Sequence, residues 1–248
     1  MGEEPVIDVA NVFGVGQFQH SLDPKDALLL EPGLRSVTPA QQAARDVAEA
    51  IRGLNRELET TLATIEDLSA LTGQLDALRI GLVKGIGTEK EVGNESVAVY
   101  QAHRLRERSP FIGRANPVAL PLMIEFVDGG VDAVVTFGTL YEGPPGCLHG
   151  GYIAGIFDEV LGAAQTFSGQ AGMTGRLTIH YRSPTPLNTE LHLRARLEKV
   201  SGRKILCKGT LHAGERLCAE AEGLFIAVDP KKFFNRDLST SDEVESIG

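Results

Sequence analysis

The chain has 248 residues, a formal net charge of −9 at pH 7 and 42% hydrophobic residues, a length that accommodates one large domain or one ordinary domain with an extension. The acidic balance excludes a protein whose main partner is a nucleic-acid backbone, because neutralising phosphates takes clustered Lys and Arg; a single anionic ligand needs only a local cluster. Its three cysteines, Cys147, Cys207 and Cys218, are odd in number and lack metal-ligand spacing, so neither a disulfide framework, a metal site nor a cofactor is expected, and a reducing cytoplasm is the expected compartment.

The amino terminus, Met1-Gly2-Glu3-Glu4-Pro5, is acidic and lacks the basic-then-apolar pattern of a secretory signal, and Val6 excludes myristoylation of Gly2. No apolar stretch approaches the roughly 20 residues of a membrane helix, so a soluble protein is expected. Over residues 38–80, Val47, Ile51, Leu54, Leu58, Leu62, Ile65, Leu68, Leu71, Leu75 and Leu78 recur at helical spacing. Thr38-Pro39 marks the start, and Gly73 is expected to bend the run or divide it into two helices. The stripe is too long to be left in water and should pack on something. Residues 85–113 are polar, with Ser109-Pro110 as punctuation. The expected organisation is a helical extension over 1–108, a main domain over 109–229 and a polar tail without a fixed fold over 230–248.

Within the main domain the period changes to two. Residues 118–127 and 131–141 read as strands around the Asp128-Gly129-Gly130 turn. A helix over 149–165 follows the Gly143-Pro144-Pro145-Gly146 break. Four strands come next; in the first, Leu177, Ile179 and Tyr181 alternate with Thr174, Arg176, Thr178, His180 and Arg182. The order predicts an α+β fold, an antiparallel sheet whose apolar face is covered by the single helix.

In that helix Gly151, Gly155, Asp158 and Gly162 fall four, three and four apart, a stripe with no side chain but the carboxylate. Each interior glycine costs about 1 kcal/mol relative to Ala, so a backbone or ligand is expected to approach closely. An arbitrary helical Asp is usually a solvated surface acid. Here Ile153, Ile156, Phe157, Val160 and Leu161 flank it and leave little of the helix for water, which favours a functional carboxylate. The amides of Gly150 and Gly151 lack intrahelical partners at the positive dipole end and suit an oxyanion.

The run His149-Gly150-Gly151, Asp158 nine residues after the His, and Thr174 opening the next strand resemble the hotdog-fold thioesterases of the phenylacetyl-CoA (PaaI-like) group. The likeness extends over residues 110–228, including Gly113-Arg114-Ala115-Asn116-Pro117 and Tyr181-Arg182-Ser183-Pro184. The resemblance implies a hotdog fold, hydrolysis of acyl-CoA to free acid and CoA, and a homodimer or homotetramer with sites between subunits. It implies that Gly150 supplies the oxyanion amide, that Asp158 activates water or attacks the thioester, that Thr174 positions water or the carboxylate, and that His149 orients the carbonyl or shapes the helix start. Gly151 would contribute to substrate binding. Many members carry Asn several residues before the His, where this chain has Glu142-Gly143-Pro144.

Other chemistries lack their motifs: there is no Gly-x-Ser-x-Gly elbow, phosphate loop or dinucleotide fingerprint. Cys147 beside His149 reads as a packing residue. Arg203-Lys204 after Ser201-Gly202 either grips CoA phosphates or is a solvated hairpin pair. The alternative to an enzyme is a non-catalytic acyl-CoA or acyl-carrier-binding module with the same fold; retention of Asp158 and Thr174 favours the enzyme. The stripe over residues 54–78 would then be a brace, a cover for the acyl tunnel or a dimer contact.

Overall fold

The structure, a computed structural model, describes residues 39–85 and 107–228. The expectations for the amino terminus, for residues 86–106 and for the tail lie outside the described residues.

Helix α1 (Pro39–Thr60) begins at the proline, whose missing N–H costs nothing at the first helical position. Helix α2 (Ile65–Gly85) contains Gly73 rather than ending at it. The break falls at residues 61–64 because of a reciprocal cap that the apolar periodicity hides. The Asp67 amide donates to Thr64 Oγ1 at 3.2 Å, while the Thr64 amide and hydroxyl donate to Asp67 Oδ2 at 3.2 and 2.8 Å. Helix α1 docks on the segment leading into the main domain: Arg45 pairs with Glu107, Arg52 Nη1 donates to the Asn116 carbonyl at 2.6 Å, and Ala48 is buried between them. Ile51, Leu58, Ile65, Leu68, Leu75 and Leu78 stay exposed, so the described residues do not supply the covering that the stripe was expected to find.

Strands β1 (Met123–Val127), β2 (Gly130–Thr136), β3 (Gly172–Tyr181), β4 (Glu190–Ser201), β5 (Lys204–Ala213) and β6 (Arg216–Ala227) form one antiparallel sheet in the order β1-β2-β4-β5-β6-β3. Two of them are shorter than the alternation predicts. Pro117 and Pro121 remove donors before Met123, and after Thr136 the chain curls through a short 3-10 turn, Thr139–Tyr141. Phe137 anchors that turn, buried edge-on against Tyr141 at 4.9 Å between ring centroids. Helix α3 (Gly150–Ala164) lies across the apolar face of the sheet. Ile153, Ile156, Phe157, Val160, Leu161 and Ala164 meet Val131, Ala133, Val135, Leu191, Leu193, Ile205, Leu211 and Phe225 in one core.

Strand β3 does not alternate cleanly. Thr174 lies opposite Phe225 and Arg176 opposite Leu224, so Gly175 is an extra residue in a bulge. The bulge shifts the phase by one, which puts Thr174 on the helix-facing side with Leu177, Ile179 and Tyr181. The expectation that it shares the outer face with Arg176 is thereby corrected.

Close approach explains one glycine of the helical stripe. A Cβ on Gly155 would come within 2.4 Å of the Phe111 ring. Gly155→Ala should therefore destabilise the protein, by about 1–3 kcal/mol of overpacking less about 1 kcal/mol of helix propensity. In a Phe111→Ala background the sign should reverse. Denaturant unfolding of the four proteins in this cycle measures both effects.

Candidate active site

The loop that delivers α3 is held by short-range bonds. The Glu142 carboxylate accepts from the Gly146 amide, the Gly143 amide donates to the Cys147 carbonyl at 2.9 Å, and the Leu148 and His149 amides donate to Thr185 and Tyr141 carbonyls at 2.8 and 2.9 Å. A Cβ on Gly143 would lie 2.8 Å from His149 Cα, so this glycine lets the loop pass directly against the histidine. In place of the Asn found in many members of the resembled group, Glu142 thus closes the turn before the helix.

His149 is the N-cap of α3, extended at φ −63° and ψ 133°, and its Nδ1 accepts from the Gly151 amide at 3.0 Å. With Nδ1 accepting, the neutral ring carries its proton on Nε2. Gly151 is thereby used inside the protein: its N–H belongs to the cap and is not offered to a ligand. The Gly150 amide, one residue earlier, has no acceptor among the described residues. It stands at the positive end of the helix, where it can stabilise developing negative charge. Tyr181, at the far end of β3, donates its hydroxyl to the Gly150 carbonyl at 3.0 Å.

Two turns further on, Thr174 Oγ1 donates to Asp158 Oδ1 at 2.9 Å. Both side chains are exposed in the single chain, which corrects the expectation that apolar neighbours shield the acid. The neighbours are buried on the opposite side of α3 and leave the Asp158 carboxylate open, while Phe111 covers Gly155 on the same stripe. Glu159 next to it is partly buried, and burial, reinforced by the charge of Asp158, holds its carboxyl above the usual carboxylate range. Gly150 and Asp158 are eight residues apart on one straight helix, about 12 Å along its axis.

Arg203 sits in the β4–β5 turn after Gly202, whose φ of 58° only glycine adopts freely, and Lys204 opens β5. Both are exposed, and Arg203 Nε donates to the Ala227 carbonyl at 3.1 Å, leaving the rest of its fork outward. Lys204 lies opposite Ile226, itself opposite Met173, so the pair is about two strand spacings, ~9.6 Å, from the β3 row beside Thr174. Cys207 and Cys218 take no part: both are buried, and burial pushes the Cys207 thiol up to about 12. Among the described residues no group of His, Cys, Asp and Glu converges on a metal position, and no helix is long and apolar enough to cross a membrane.

Comparison with known proteins fits this geometry. Residues 145–220 match the family model described as "Thioesterase superfamily". The crystal structure of protein RHA08564, a thioesterase superfamily protein, superposes with a TM-score of 0.64 at 32% identity over 74% of this chain and 94% of that one. The chain belongs to the thioesterase superfamily. Its sheet and single covering helix are the hotdog fold, as expected. It is also 38% identical over 95 residues to the acyl-coenzyme A thioesterase THEM4 of Xenopus laevis and 39% identical over 93 residues to that of Mus musculus. These stretches make up 38% and 37% of this chain, and it spans less than half of those relatives, 43% and 40%.

Within this superfamily member the motif residues do not all converge. The fold brings Asp158 to Thr174 and His149 to Gly150 and Gly151, but keeps the two groups two helical turns apart. Tyr181, Phe111 and Glu142 contact the motif without belonging to it. Tyr181 had a sequence signal in its alternation with the apolar residues of β3, and Glu142 in its place where many members of the resembled group carry Asn; Phe111 had none.

Proposed function

We propose that this chain hydrolyses acyl-CoA thioesters, with Asp158 as the reacting carboxylate and the Gly150 amide as the oxyanion donor. The observation that carries the reading is the exposed Asp158 carboxylate, held on one oxygen by Thr174 at 2.9 Å, on a helix whose first amide, like the other carboxylate oxygen, has no partner among the described residues. The similarity to acyl-coenzyme A thioesterases supports the choice of substrate.

The free carboxylate oxygen has two uses. It takes a proton from water as the water oxygen adds to the carbonyl carbon, or it adds to that carbon itself and forms an anhydride that water then cleaves. In both, Gly150 N–H stabilises the oxyanion, the C–S bond breaks, and the CoA thiolate takes up a proton. Single-turnover hydrolysis in isotopically labelled water identifies direct attack when water cleaves the anhydride at the Asp158 carbonyl, since the label then enters the enzyme carboxylate. The primary test is steady-state hydrolysis across a panel of acyl-CoA chain lengths. Hydrolysis of none of them would reject the assignment in favour of a binding module.

The working unit in this proposal is a symmetric dimer. A carbonyl carbon and its oxygen must lie within about 3–3.5 Å of nucleophile and donor, which the roughly 12 Å between Asp158 and Gly150 of one helix does not permit. A two-fold axis beside α3 would pair Asp158 of one protomer with Gly150 of the other. Strand β3 supports such an axis: ten residues long, it is a sheet edge whose outer N–H and C=O groups have no strand partner among the described residues. Three free thiols support a reducing, cytoplasmic setting.

Arg203 and Lys204 are assigned to the phosphates of CoA, local positive charge that offsets an acidic protein. Exposed pairs are worth about 0–1 kcal/mol each. Replacing both by Ala should raise KM a few-fold, reduce its salt dependence and leave kcat unchanged. An acyl thioester lacking the nucleotide should be insensitive to the change. Equal impairment of that truncated substrate would reassign the pair to structure.

A further inference from the structure

We propose that Tyr181 is a positioning residue for the carbonyl-binding end of α3, acting through one peptide group on His149. The Gly150 carbonyl and the Gly151 N–H belong to the same amide. Tyr181 Oη donates to that carbonyl at 3.0 Å, and that N–H donates to His149 Nδ1 at 3.0 Å. The hydroxyl, the amide and the imidazole therefore form one continuous chain of hydrogen bonds, each donating in the same direction.

Such a chain is cooperative: a donor on the carbonyl polarises the amide and strengthens its N–H as a donor to the next acceptor. The consequence falls on His149. A stronger Gly151 N–H fixes Nδ1 as an acceptor, places the ring proton on Nε2, and holds the ring at the mouth of the helix beside the unpartnered Gly150 amide. Nε2–H then joins that amide as a donor to a carbonyl oxygen. The Gly150 carbonyl cannot turn away, because Tyr181 holds it from the β3 side, with its hydroxyl 3.3 Å and its ring 3.5 Å from where a Gly150 Cβ would be.

Tyr181 thus couples the last residue of β3 to the oxyanion end of the helix, as Thr174 at the strand's other end couples to Asp158. In the proposed dimer one strand sets one half of each of the two shared sites. The catalytic part of this inference rests on the proposed thioesterase reading; the hydrogen-bond chain does not.

The test is Tyr181→Phe, which keeps the ring and removes only the donor. Steady-state hydrolysis of the best acyl-CoA should show kcat lowered about three- to tenfold with KM within about twofold, the loss of one hydrogen bond felt mainly in the transition state. Nitrogen NMR of the imidazoles, with His149 assigned by His149→Gln, should show His149 as the Nε2–H tautomer in the wild type and a mixture of tautomers in Tyr181→Phe. A purely structural tyrosine would lower the melting temperature without moving the tautomer or splitting kcat from KM. Wild-type kcat, or an unchanged His149 tautomer, overturns the proposal. If wild-type protein hydrolyses no acyl-CoA, the thioesterase reading fails separately, and the tautomer measurement still decides whether Tyr181 sets His149.

Discussion

Asp158→Asn should fold normally and lose turnover by about 10²–10⁴-fold, some 3–5.5 kcal/mol of transition-state stabilisation. The fold is spared because the substitution preserves shape and the amide oxygen still accepts from Thr174 Oγ1, now at 2.9 Å from the carboxylate. The side chain is exposed, so no buried charge or cavity is created. Turnover fails because an amide neither removes a proton from water nor attacks a thioester. Apparent affinity for acyl-CoA should change little, since the contacts that bind the nucleotide and acyl parts are untouched. Turnover within a few-fold of wild type on the best substrate would show that another group carries the reaction.

That carboxylate was legible in the sequence because helical spacing is a strong constraint: once α3 is placed, Gly151, Gly155 and Asp158 must share a face. The antiparallel sheet covered by one helix was legible for the same reason, from a change of period followed by four alternating strands, while the hotdog fold was what the family resemblance implied. What escaped was set by single residues that periodicity averages over. The bulge at Gly175 moves Thr174 to the helix side, and no alternation pattern marks it, because one inserted glycine leaves the later residues in phase with one another. The α1–α2 break is decided by Thr64 and Asp67 side chains capping each other, while the leucine spacing runs on through it. Gly151 reads like Gly150 in the sequence, yet its amide is taken by the neighbouring imidazole. Exposure of Asp158 was misjudged because apolar residues on one side of a helix say nothing about the opposite side until the sheet is in place.

Gly150→Pro should also abolish most turnover, by about 10²–10³-fold, the usual cost of losing one oxyanion donor. Proline is the substitution that deletes this N–H with least disturbance. It is favoured at the first helical position, and His149 already has the φ of −63° and ψ of 133° that a residue preceding proline adopts. Gly150→Ala is the control: it carries a Cβ against the same Tyr181 side chain, 3.3 Å from the hydroxyl and 3.5 Å from the ring, but keeps the amide. A large gap between the two variants isolates the N–H, whereas equal losses would assign the effect to crowding of Tyr181. The two inactive variants then test whether the site is shared. If Asp158 of one protomer works with Gly150 of the other, a dimer of one Asp158→Asn and one Gly150→Pro chain holds one site with both lesions and one with neither. Random pairing of equal amounts makes half the dimers mixed, so about one quarter of wild-type activity should return on co-expression or after subunit exchange. A site contained within one chain predicts no recovery at all, since each chain would keep its own lesion. Continued inactivity in a mixture shown by mass spectrometry to contain the heterodimer would thus reject the shared site, and with it the joint action of Asp158 and Gly150 on one carbonyl.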